Sequence, residues 1–221
     1  MTVTSTRTAV PATREMVLIH NVFRRLFGDL PWLVGDVADA DLTRAAVLAN
    51  VFDEAATTLQ HHHSLEDELL WPTLLPRVGA DCALVLRAEE QHERVHELLE
   101  RGRAQMRAFG ATATSDIRDA VVATLGELFA VLDEHLREEE SLVLPLVDKH
   151  LGLAEWNRLG ERARAALPKE RLLIQLGWIL DGVPRAERPA VLAKLPVAAR
   201  IRWKLVGRRR WQQDRRRIYE H

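Results

Sequence analysis

Residues 59–72, LQHHHSLEDELLWP, and residues 132–145, LDEHLREEESLVLP, are two copies of one element. Aligned without gaps, they pair Leu59 with Leu132, His62 with His135, Glu66 with Glu139, Leu69 with Leu142 and Pro72 with Pro145. In each copy a histidine precedes a glutamate by four positions. On an α-helix that spacing puts both side chains on one face, about 6 Å apart along the axis. The flanking leucines mark that face as the inward one. Inward histidines and carboxylates are costly to bury without partners. A metal centre supplies the missing charge. Within His61-His62-His63 the repeat selects His62. His63 could instead pair with Asp67, but the repeat favours His62 with Glu66, and His61 and His63 are read as flanking residues, at the surface or else behind the ligands.

Working outward, four helical stretches are expected before residue 150. The first runs from Thr13 to about Phe27 and ends near Gly28. The second runs from Asp41 to about Trp71, where Pro72 and Pro76 punctuate its end. The third runs from Asp81 to Phe109 and stops at Gly110. The fourth starts after the N-cap candidates Thr114, Ser115 and Asp116 and runs to Leu144-Pro145. Short connections favour antiparallel neighbours, so the expected fold is all-α, an up-down-up-down four-helix bundle. The third helix adds His92 and His96, again four apart. The first adds His20, among Met16, Val17, Ile19 and Phe23. Every helix thus offers a ligand-type side chain, and the candidate metal ligands are His20, His62, Glu66, His92, His96, His135 and Glu139. Three such pairs on three helices, two of them in repeated sequence, are poorly explained as surface decoration.

Hydrophobic residues make up 47% of the 221 and charged residues 29%, which places the chain among globular proteins rather than disordered ones. Abundant Ala, Leu, Arg and Glu favour helix, and no alternating Val/Ile/Thr runs argue for strands. The net charge of −1 implies no bulk attraction to nucleic acid or membrane. One cysteine, Cys82, allows no intrachain disulfide. The stretch from Met1 to Glu15 is polar and has no apolar signal core. No apolar run approaches the roughly 18 residues of a membrane span, so a cytoplasmic location is expected.

The domain division expected is a bundle over residues 13–150 and a helical extension over 151–221. Helices are expected at 151–168, 169–183 and 197–219, with Pro184, Pro189 and Pro196 between the last two. From Lys194 onward there are ten basic residues against two acidic ones, Asp214 and Glu220. This tail is expected to pack as an amphipathic helix on the acidic bundle. The other readings are contact with an acidic partner or with a membrane surface. Nucleic acid ranks last, since no DNA-reading motif is present.

The motifs resemble the hemerythrin-like (HHE cation-binding) family over roughly residues 13–150. The resemblance rests on His20, the H-x-x-x-E of His62/Glu66 with Pro72 beyond, the H-x-x-x-H of His92/His96, and the H-x-x-x-E of His135/Glu139 with Pro145 beyond. It implies a hemerythrin-like bundle holding two iron ions bridged by oxide or hydroxide. His92, His96 and His135 would hold one iron and His20 and His62 the other, with Glu66 and Glu139 as bridges. The invertebrate oxygen carriers of the family place an aspartate one residue further on in the last motif. Glu139 resembles the bacterial members instead, which weakens a reading as simple oxygen transport.

Five imidazoles, two bridging carboxylates and one bridging oxide leave two six-coordinate ions one ligand short. The open position falls on the iron with two histidines. The functions this implies are a sensor, carrier or scavenger of O2, NO or peroxide. Alternatives are an enzyme decomposing hydrogen peroxide or reducing NO or O2, and iron storage or donation for repair of iron centres. Mixed imidazole and carboxylate donors suit iron or manganese better than zinc. A ferritin-like di-iron oxidase uses Glu-x-x-His pairs and more carboxylates than histidines, which these motifs do not match. Few proton donors stand near the site in sequence. Tyr219 is the lone tyrosine, Cys82 begins the third helix, and His63, Asp67, Glu89 and Glu93 are the nearer polar residues.

Overall fold

A computed structural model describes residues 13–166 and 169–220. The expectations for the N-terminal leader as far as residue 12, for positions 167–168 and for His221 lie outside the described residues. The fold is all-α, with no strand among the described residues.

The bundle helices are α1 (Arg14–Gly35), α2 (Leu42–Leu65), α4 (Cys82–Thr112) and α5 (Ser115–Glu138). Two are continued in line: α2 passes through a π-helical turn, Glu66–Leu70, into α3 (Trp71–Val78), and α5 passes through a second, Glu139–Val143, into α6 (Leu144–His150). Helix α1 packs on α5 and α2, α2 packs on α4, and α4 packs on α5, closing a ring of neighbours around one core. Asp41 caps α2 by accepting from the Arg44 amide at 2.9 Å, as its position predicts. Thr114 stands at the N-cap of α5, but its side chain makes no capping bond.

Four expected helix ends move. Gly28 does not terminate α1, which runs on to Gly35 with Pro31 inside it. A Cβ on Gly28 would lie 3.1 Å from the Phe129 ring, so this glycine lets α5 come close rather than ending a helix. Likewise Gly110 lies inside α4, and the left-handed cap is Ala113 (φ 47°). Pro72 and Pro145 do not end their helices either. Each sits in the first turn after a π turn, where a missing N–H is tolerated. The hydrogen bonds just upstream lengthen by one residue, from Trp71 N–H to the Glu66 carbonyl and from Leu144 N–H to the Glu139 carbonyl.

That extra residue slides the inward stripe. Leu70 and Val143 are buried, whereas Leu142, expected inside, is 42% exposed and Leu69 is only half-buried. Buried polar residues His20, Glu66, His92, His135 and Glu139 fall between two apolar clusters. One holds Phe27, Phe52, Leu98 and Phe109; the other holds Trp71, Leu74, Val85, Val147 and Trp156. Each large side chain so buried contributes about 1.5–3 kcal/mol, and this surrounding core holds the polar layer in place.

Within Leu42–Thr112 one stretch is long and apolar enough to cross a membrane by length and composition alone, which differs from the expectation of no such run. Only 28% of that stretch is buried inside the structure.

The extension contains α7 (Leu153–Ala166), α8 (Lys169–Gly182), α9 (Arg188–Ala193), α10 (Val197–Arg202), a π turn (Trp203–Gly207) and α11 (Arg208–Tyr219). Trp178 of α8 and Ile218 of α11 join the bundle's own apolar cluster. Arg44 donates to the carbonyls of Arg217 and Ile218 at 2.9 and 2.6 Å, which ties the end of α11 to α2. Tyr219 donates to Asp29 of α1 at 2.5 Å, and this burial and bonding raise its pKa above the ordinary phenol value.

Candidate metal centre

The π turns begin at Glu66 and Glu139, so both copies of the repeat deliver a carboxylate at the point where the helix departs from regular geometry. Both glutamates are buried, and none of their four carboxylate oxygens has a hydrogen-bond partner among the described residues. The nearest ring nitrogens approach without forming a hydrogen bond. His62 Nε2 is 3.3 Å from Glu66 Oε1, His92 Nε2 is 3.6 Å from Glu66 Oε2, and Glu139 Oε2 is 3.4 Å from His20 Nε2 and 3.8 Å from His135 Nε2.

These atoms form two groups. His20, His62, Glu66 and Glu139 place ligand atoms within 4.8 Å of one another, and so do His63, His92 and His135. Glu66 reaches toward both groups with different oxygens, and Glu139 lies between His20 and His135. The Nε2 atoms of His20 and His62 converge to 3.2 Å, close to the spacing of about 3 Å between neighbouring ligands bonded at 2.0–2.2 Å to one ion.

Six of the seven residues singled out in the sequence are brought together. His96 is not. It is exposed, and its Nδ1 accepts from the Gln60 amide at 2.8 Å. On α4 the buried stripe runs through Val85, Ala88, His92, Val95, Leu99 and Met106. His92 lies toward one margin of that stripe, and His96, about 40° further round, falls off it.

The third histidine beside His92 and His135 is His63, expected as a flanking residue and found 5% exposed. Its ring stacks on His92 with centroids 3.9 Å apart, and its Nε2 has no hydrogen-bond partner. The repeat held the signal for it, since His63 aligns with Leu136, which is fully buried.

Three of the rings are oriented from behind. His92 Nδ1–H donates to Asp67 Oδ1 at 2.7 Å, His20 Nδ1–H to Glu140 Oε1 at 2.9 Å, and His135 Nδ1–H to Gln91 Oε1 at 3.2 Å. The Gln91 amide is itself held by donating to Glu138 at 2.8 Å. With Nδ1 protonated, each Nε2 presents a lone pair inward, the arrangement that metal-bound histidines need. Asp67 and Glu140 occupy equivalent places in the two repeats. Of the other polar residues noted in the sequence, Glu89 and Glu93 face solvent.

Electrostatics favour the same state. Burial, and then the charges that His20, His92 and His135 would carry, push the His62 pKa well below its ordinary value. Burial comes first for His63 and His135 also, so these rings stay neutral. Burial, then Glu139 and Asp67, push Glu66 well above the usual carboxylate range. Burial opposes ionisation of Glu140, but hydrogen bonds from His20 and Arg24 outweigh it and lower its pKa. Arg24 also bonds Asp133 at 2.9 Å. Two buried carboxylates facing neutral imidazole lone pairs lack a cation, and a bound metal pair fits that need.

Fold and donor set together define an α-helical cation-binding bundle. The chain belongs to the hemerythrin family: the model of the hemerythrin HHE cation binding domain matches residues 12–147. No curated protein and no solved structure matches the chain.

Proposed function

We propose that the chain is a non-haem di-iron protein that takes up a small oxidant or gas, O2, NO or peroxide, as a sensor, carrier or scavenger. The observation that carries this reading is the pair of donor groups joined by Glu66 and Glu139, whose four oxygens have no other partner. His63, His92 and His135 would hold one iron, and His20 and His62 the other. Glu66 and Glu139 would bridge them, with one shared oxide or hydroxide. When bound, the iron pair supplies redox chemistry and one open coordination position, on the His20/His62 side. We place this chemistry in a reducing cytoplasm, which the lone thiol of Cys82 suits.

The residues beside that position favour binding over turnover. The Phe23 ring lies 5.3 Å from His62, and Leu59, a turn earlier on α2, is fully buried. The Thr58 hydroxyl is spent on the Glu54 carbonyl at 2.8 Å, and Glu140 and Asp67 are engaged by His20 and His92.

Iron analysis of protein from iron-replete cells should give about two ions per chain, the number these two donor groups accommodate. Stopped-flow mixing of the reduced protein with O2, NO and H2O2 should give a stable adduct. One zinc per chain, or no metal, would sink the di-iron reading. Sustained peroxide turnover would replace the carrier reading by the enzyme.

A further inference from the structure

The helical stretch from α10 through α11 has two unlike sides. Trp203, Gly207, Asp214 and Ile218 are buried against the rest of the protein. Asp214 accepts from Trp178 Nε1 at 3.0 Å, and Arg217 donates to Glu54 at 2.8 Å, so this side docks on α8 and α2. On the outward side, Val197 is 61% exposed, Ile201 52% and Leu205 75%. These three are spaced four apart. With Val206 they are four of the nine exposed large apolar residues of the described chain, gathered within ten positions, so this is a patch and not scatter.

Cations surround it. Arg202, Lys204, Arg208, Arg209 and Arg215 are exposed, and none forms an ion pair among the described residues. The Arg215 guanidinium instead lies over the Tyr219 ring at 5.6 Å.

We propose that this outward side rests on an anionic lipid bilayer. Val197, Ile201 and Leu205 enter the boundary between headgroups and acyl chains, and the surrounding arginines and lysine meet lipid phosphates. Nucleic acid would use the cations but give Leu205 no apolar environment. A second copy of the same face would bring like charges together. An anionic bilayer satisfies both halves of the surface.

The test is co-sedimentation of the full chain with vesicles of phosphatidylcholine alone and of phosphatidylcholine mixed with phosphatidylglycerol, at low and at near-physiological salt. Binding to the anionic vesicles only, weakening as salt screens the cations, is expected. Leu205→Glu should reduce it about tenfold or more, and Ile201→Glu should act similarly. Both sites are exposed, so helicity, melting temperature and metal content should not change. Equal binding to both vesicle types, or none to the anionic ones, overturns the proposal. So does binding to duplex DNA or polyglutamate as tight as to anionic vesicles, or vesicle binding by Leu205→Glu equal to that of the parent.

Discussion

Asp67 Oδ1 stands 2.7 Å from Nδ1 of His92, across the gap between the π turn that follows α2 and helix α4. Its repeat counterpart Glu140 does the same for His20 at 2.9 Å, a histidine on α1. Each copy of the repeat therefore carries an acidic pair with divided labour. The first acid, Glu66 or Glu139, turns inward with unpartnered oxygens, and the second orients a histidine on a neighbouring helix that lies outside the repeat. Internal symmetry in the sequence becomes symmetry in how the rings are held.

Asp67→Asn and Glu140→Gln test this division. The amide can present its nitrogen to Nδ1 and so lose the acceptor that fixes the tautomer. Metal affinity should fall about 10–100-fold in a chelator competition, the range typical of such partners, with the circular dichroism spectrum unchanged. Affinity equal to the parent would show that the two acids do not orient the rings.

His63→Ala and His96→Ala separate two accounts of the site. His63 faces His92 and His135, while His96 is exposed beside Gln60. The first substitution should lower iron retention by about tenfold or more, and the second should leave it within about twofold. Iron content after dialysis against a weak chelator reads both. The opposite ranking would return His96 to the site.

Metal-free protein should be stable only over a middle range of pH. His62, His63 and His135 have folded pKa values pushed below the ordinary 6.5. Their neutral state contributes stability above pH 6.5, which is lost as pH falls from there toward the depressed values. Glu66 has the opposite sign. Its folded pKa is raised above 4.5, so its contribution is present at low pH and lost as pH rises through the raised value. Melting temperature against pH should therefore fall on both sides for the metal-free chain. Iron loading, which uses the carboxylates as anions, should remove the alkaline decline. A metal-free profile flat between pH 5 and 8 would contradict the assignment.

Two helix-interior glycines should respond oppositely to alanine. At Gly102 a Cβ would lie 2.7 Å from Phe52 Cζ. That ring is fully buried and meets Phe27 edge-on at 6.2 Å, so it has no room to yield. Gly102→Ala should cost about 1–3 kcal/mol. At Gly126 a Cβ meets nothing within 4 Å, and Gly126→Ala should stabilise by about 0.5–1 kcal/mol through helix propensity. Urea denaturation of the two variants measures both signs.

The helical class, the repeat and the convergence of His20, His62, Glu66, His92, His135 and Glu139 were legible in the sequence. Four-residue spacing and a leucine stripe are local properties of a helix and need no knowledge of its neighbours. Helix ends were less legible, because Gly28 and Gly110 read as stops but serve as close-packing points against Phe129 and Ala49.

What the sequence by itself determined is the helical class, the main helices and most of the candidate donor set, while the short helix α9 among Pro184, Pro189 and Pro196 was not expected. Only the tertiary structure places His63, and not His96, beside His92 and His135. Both stand on helices that supply other site residues, and both are spaced plausibly from a partner. The outcome depends on how far each helix is rolled about its axis. Packing of α4 through Val95, Leu98 and Leu99 turns His96 outward. The inward position that is Leu136 in α5 is His63 in α2, and it brings that ring onto His92. Helix roll is set by the fit of side chains from several helices at once, and no local pattern in one helix records it.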